Sequence, residues 1–153
     1  MSWEADADEL RARPPRHLLF LCVANSARSR LAEAIARALA PPGVKVSSAG
    51  SRPSAVNPLA VRVLVEIGVD AAGLRSKHVD TLAPDDVDAV ITLCAEEVCP
   101  AFLGKARRFH WGLPDPAAAA GSEGERLDAF RRVRDELRRR IALVFSTAGA
   151  RST

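Results

Sequence analysis

The sequence predicts one α/β domain, a four-stranded parallel sheet flanked by helices on both faces. Three observations carry that expectation. Short continuous apolar runs of strand length recur along the chain, amphipathic helical patterns separate them, and Pro- or Gly-containing turns mark the joints. At 153 residues the chain has the length of a single domain with a substantial core.

The elements follow in order. Residues 1–16 alternate acidic and basic side chains and end in Pro14-Pro15, which reads as a flexible polar lead-in. From His17 the pattern changes: residues 17–22 are a continuous apolar run, as expected of a parallel strand buried on both faces. Residues 23–29 are small and polar, and then Leu31, Ala34, Ile35, Ala38 and Leu39 recur at helical spacing until Pro41-Pro42-Gly43 stops them. Cys22 therefore ends a strand and Arg28 opens a helix. Residues 44–48 read as a second strand. Asn57 caps a second helix with Pro58 in its first turn, Leu59, Val63, Leu64 and Ile67 form its stripe, and Gly68 ends it. A third apolar run, 87–93, leads into Cys94, and residues 106–111 make a weaker fourth strand. Leu127, Phe130, Val133, Leu137, Ile141 and Val144 make 125–145 a long amphipathic helix, its arginines mostly on the solvated face. The folded domain is expected over 17–147, with a tail at 148–153.

Composition excludes several function classes. The net charge is only +3, there is no Tyr, and Phe and Trp are few. A nucleic-acid binder would combine a basic patch with base-stacking aromatics, so that role is not expected. No apolar stretch is long enough to cross a membrane and residues 1–16 hold no leader-like apolar segment, which makes the cytoplasm the expected location. Three cysteines are an odd number, against a secreted disulfide framework. Zinc at Cys94 and Cys99 would need two further ligands, and His110 is the one nearby candidate, so no metal is expected.

The chemistry concentrates in Cys22-Val23-Ala24-Asn25-Ser26-Ala27-Arg28-Ser29, a Cys and an Arg separated by five residues. That spacing lets the backbone of residues 23–29 curl into a nest of N–H groups around a tetrahedral oxyanion. The helix that follows adds the positive end of its dipole. Arg28 can supply two parallel donors to the anion. The same field favours the thiolate form of Cys22 and makes it a nucleophile, and Ser29 can donate to the sulfur. The spacing alone is common; the strand before it and the helix after it make it specific.

This loop resembles the oxyanion loop of the low-molecular-weight protein tyrosine phosphatases and of the arsenate reductases that share their fold. The resemblance covers residues 17–147. It implies that fold, and it implies that Asn25 braces the loop. Ser47-Ser48-Ala49-Gly50 resembles the end of the family's second strand. Residues 110–117, His-Trp-Gly-Leu-Pro-Asp-Pro-Ala, resemble its Asp-Pro loop, which makes Asp115 the implied proton donor to the leaving oxygen.

Within that family, Cys94 and Cys99 resemble the redox segment of the thioredoxin-coupled reductases. The resemblance implies a relay: a Cys22–arsenate adduct, a Cys22–Cys94 disulfide, and then a Cys94–Cys99 disulfide formed by exchange and reduced by thioredoxin or a similar thiol. Residues 95–103 would have to move. Two departures stand out: only four residues separate Cys94 from Cys99, and position 27 is Ala where many relatives carry cysteine. Ala117, where the phosphatases typically place an aromatic, suits a small inorganic anion. The alternatives are a low-molecular-weight phosphatase and a non-catalytic oxyanion-binding relative. Some reductases of the family bind potassium behind the loop through positions matching Asn25, Glu33, Ser48 and an acidic residue. Lys77 stands at that last position, so the expectation is a Lys77–Glu33 pair that braces the loop and makes potassium unnecessary.

Overall fold

The computed structural model describes residues 2–24, 27–71, 77–94 and 105–146. Four parallel strands, β1 (His17–Cys22), β2 (Lys45–Gly50), β3 (Ala89–Thr92) and β4 (Arg107–His110), form one sheet in the order β2-β1-β3-β4. β1 is central, and all six of its residues are buried. Its run is continuous because both faces are covered, so the usual alternation of apolar and polar residues has nowhere to show.

Four α-helices, α1 (Trp3–Ala12), α2 (Arg28–Leu39), α3 (Pro58–Glu66) and α4 (Glu123–Val144), complete the domain. Leu18, Phe20, Ala89, Ile91 and Phe109 share one apolar cluster with residues of all four α-helices. Leu19, Leu21 and Val90 point the other way, where Val79 and Leu82 meet them from and just after a short 3₁₀ turn. Among the described residues, the second face is thus covered by tight 3₁₀ turns rather than by α-helix.

Local signals explain the helix ends. Asn57 accepts from Leu59 N and Pro58 opens α3. α4 starts earlier than its apolar stripe suggests, because Ser122 and Glu125 form a reciprocal capping box. α3 and α4 are tied by Arg134, which donates to Val63 O (2.9 Å) and Glu66 Oε1 (2.7 Å). Hydrogen bonds from Arg131 and Arg134 bring the Glu66 carboxyl down to about 2.

Residues 1–16 are not the flexible lead-in that their charge pattern suggests. Residues 3–12 form α1, capped by Ser2 Oγ at Ala5 N. Ala7 and Leu10 are fully buried, and half-buried Trp3 packs against the same cluster. The stripe at 3, 7 and 10 is narrow, and acidic and basic neighbours fill the rest of the helix surface, which hides it in a composition reading. Burying Leu10 alone stabilises by about 2 kcal/mol. The tail at 148–153 lies outside the described residues.

Candidate active site

Cys22 closes β1, and its Sγ lies 2.8 Å from Ser29 Oγ in the first turn of α2. Cys22 is paired in register with Gly50 at the end of β2. A Cβ on Gly50 would stand 2.7 Å from the Cys22 carbonyl oxygen and nearer still to that of Val23. The glycine is therefore required by close backbone approach, not by an unusual φ. Behind the loop, Arg52 N donates to Val23 O and Ser54 N to Ala24 O, each at 2.9 Å. Two strand ends and a following segment thus hold the start of the loop before it turns at Ala27 into α2, whose N-terminus carries the positive end of the helix dipole. Asn25 and Ser26 lie outside the described residues.

Arg28 is buried, and its guanidinium joins three parts of the site. Nη1 donates to Leu113 O (3.0 Å) and to Leu93 O (3.4 Å), while Nη2 lies 3.9 Å from Asp115 Oδ2. Asp115 caps the 3₁₀ turn Pro116–Ala118, accepting from Ala117 N at 3.0 Å, so one carboxylate oxygen is held and the other faces Arg28. Ser29 thus contacts the candidate nucleophile Cys22, and Arg28 faces the candidate acid Asp115.

Cys94 follows β3 and is 1% exposed. The backbone leading to it runs beside the end of β1, with Leu93 N donating to Leu21 O at 2.9 Å. Cys94 is disulfide-bonded, whereas Cys22 is a free thiol. Cys99 and the rest of 95–104 lie outside the described residues. Among the described residues, no group of three or more His, Cys, Asp or Glu side chains is set to hold a metal.

Behind the oxyanion loop lies a buried charge cluster. Glu33, fully buried on α2, accepts from Ser48 Oγ (2.5 Å) and from Arg30 Nη1 (2.7 Å). Its other oxygen pairs with Arg37, and Lys77 Nζ lies 3.8 Å from Oε1. The Lys77–Glu33 proximity anticipated from sequence is present. The larger contributor was missed: Arg30 is fully buried and bonds Glu33 and Ser48 directly. Its i,i+3 spacing from Glu33 on one helix was the available signal. Burial lowers the pKa of both Arg30 and Lys77, and Glu33 opposes that fall in each case.

A free thiol at a strand end, within reach of Ser29 in the first turn of the following helix, is the arrangement of a candidate cysteine-nucleophile site on an open α/β sheet. Residues 17–149 match the low molecular weight phosphotyrosine protein phosphatase family, and the chain belongs to it. An arsenate reductase of Halalkalibacterium halodurans is 42% identical over 126 residues, covering 81% of this chain and 91% of that protein. The crystal structure of an arsenate reductase from Archaeoglobus fulgidus aligns with a TM-score of 0.69 at 32% identity, covering 82% and 95% of the two chains. A thioredoxin-dependent arsenate reductase of Corynebacterium glutamicum aligns at 0.58 and 30% identity, covering 92% of this chain and 69% of that one.

Proposed function

We propose that this protein reduces arsenate to arsenite, using electrons from its own thiols that an external dithiol protein of the thioredoxin type restores. The Cys22 thiolate attacks arsenic, and the departing oxygen leaves as water with a proton from Asp115. Cys94 thiolate then attacks the Cys22 sulfur. The S–S bond forms as the S–As bond breaks, the bonding pair stays on arsenic, and arsenic leaves as arsenite. Cys99 attacks Cys94 in turn, releasing Cys22 as thiolate and leaving a Cys94–Cys99 disulfide for the reductant.

One observation carries this reading over simple phosphate hydrolysis. A second cysteine, Cys94, sits buried and disulfide-bonded at the strand end next to the one that carries the free thiol Cys22. A phosphatase needs the first thiol alone, because water resolves its intermediate. A disulfide-forming cysteine at that place is what a thiol relay requires and a phosphatase does not. The arsenate reductase relatives and the thioredoxin-dependent neighbour support the same assignment. Thiols that must be reduced again fit a reducing compartment such as the cytoplasm, and no helix among the described residues is long and apolar enough to cross a membrane.

The test is arsenate-dependent NADPH oxidation with thioredoxin and thioredoxin reductase supplied. Turnover that needs all three supports the proposal. Hydrolysis of an aryl phosphate without reductant, and no arsenite formed, would assign the site to phosphatase chemistry.

A further inference from the structure

We propose that the N-terminal helix α1 braces the loop carrying Asp115, with Asp6 and Trp111 as its positioning residues. This rests on reading Asp115 as the acid of the reductase. α1 precedes the stretch that matches the family, residues 17–149.

The contact between α1 and the loop is specific. Trp111 is 1% exposed, and its Nε1 donates to Asp6 Oδ2 at 3.1 Å. Its ring meets Trp3 edge to face, with centroids 6.4 Å apart. Arg140 of α4 lies over both rings, 5.3 Å from Trp3 and 5.9 Å from Trp111, and donates to Glu136 at 2.7 Å. The C-terminal end of α1 is fastened to β4 separately, where Arg107 donates to Arg13 O at 2.7 Å. The helix is therefore attached both to the last strand and to the residue that leaves it.

Trp111 is the first residue after β4, and little slack separates it from the acid. Trp111 N donates to Thr92 O (2.8 Å) and Leu113 N to Leu93 O (3.1 Å), while Leu113 O holds Arg28. Pro114 and Pro116 then fix φ on either side of Asp115. A rotation of the Trp111 ring would pass along this short, stiff segment to a carboxylate that must meet a departing oxygen within hydrogen-bond reach. The Asp6 hydrogen bond and the stacked arginine hold the ring against that rotation.

The experiment compares Asp6→Leu, Asp6→Asn and Trp111→Phe in full-length, fully reduced protein, measuring arsenite formed in the first turnover at a series of arsenate concentrations. Asp6→Leu should slow the saturated rate about fivefold, the worth of one partly buried hydrogen bond, with half-saturation changed less than about twofold. Asp6→Asn retains an acceptor and should restore the rate. In an Asp115→Asn background, Asp6→Leu should add no further loss, because its effect passes through the acid. Trp111→Phe keeps the buried ring but not the donor, and it carries the same expectation should Asp6→Leu fail to fold. Equal slowing in both backgrounds, or none in either, would overturn the brace. A neutral Asp115→Asn removes the acid and the brace together, whereas a slow Asp115→Asn with neutral Asp6→Leu and Trp111→Phe removes the brace alone.

Discussion

Arg30 Nη1 lies 2.7 Å from Glu33 Oε1, and both side chains are fully buried one turn apart on α2. Next to them in sequence, Ser29 touches the nucleophile sulfur. The positive charge behind the oxyanion loop is thus supplied by the chain itself, chiefly by Arg30 and at the edge by Lys77. Removing Arg30 strands a buried carboxylate with its more peripheral partners, Arg37 and Lys77. Arg30→Ala should cost about 3 kcal/mol in urea unfolding. Lys77 is about one-third exposed, so Lys77→Ala should cost at most about 1 kcal/mol. Arsenate reduction in sodium and in potassium at equal ionic strength should match. A potassium-specific gain in the unmodified protein would contradict the resident-cation reading.

The thiol order predicts three different failures. Cys22→Ser should abolish reduction, because a serine hydroxyl is not ionised there and is a poor arsenic ligand. Cys94→Ser should yield no disulfide to Cys22. Cys99→Ser should stop after one arsenite and hold a Cys22–Cys94 disulfide, visible by peptide mapping. Normal thioredoxin-driven cycling by Cys99→Ser would remove that residue from the relay.

Most of this frame was legible in the sequence because its signals are local. β1 is a run of apolar residues, α2 a stripe at helical spacing, and the motif between them has fixed spacing and chemistry. What escaped depends on contacts between distant residues. α1 presents only Trp3, Ala7 and Leu10 to the core, and their value appears once α4 and Trp111 are beside them. Arg30 looks like one more surface arginine until Ser48, from another strand, completes its site. β2 extends to Gly50 because Cys22 pairs with it, a fact that no window around residue 50 contains.

Gly50 gives a sharp steric test. Its position leaves no room for a methyl group against the Cys22 and Val23 carbonyl oxygens, both backbone atoms that cannot swing aside. Gly50→Ala should push the oxyanion loop away from β2, at a cost of about 1–3 kcal/mol. If the proposed function holds and one loop takes both anions, competitive inhibition by phosphate should weaken along with turnover. Unchanged phosphate inhibition would show that the loop yields without losing its shape.

His17 makes stability depend on pH at the far end of the sheet. Its Nδ1 faces the Asp86 carbonyl at 3.0 Å, which can only accept, so Nδ1 carries the hydrogen and Nε2 accepts from Ser47 Oγ at 2.7 Å. The neutral ring is fully satisfied. Burial lowers its pKa below the usual 6.5; Lys45 acts in the same direction, and the Asp86 carbonyl with the charges of Asp86 and Asp88 opposes it. Below pH 6.5 the unfolded chain therefore binds a proton that the folded one resists, so stability falls as pH drops from 6.5 through the folded pKa. Between about pH 7.5 and pH 5.5 the loss from this group is at most about 1.4 kcal/mol. Asp88, beside the ring, contributes little in that window, because its pKa is lowered from 3.8, where hydrogen bonds from Arg16 and His17 N–H outweigh its desolvation. Urea unfolding of the unmodified protein should show the fall, and His17→Gln, with nothing to titrate at that position, should show a smaller one. The same pH slope in both proteins would place the acid sensitivity elsewhere.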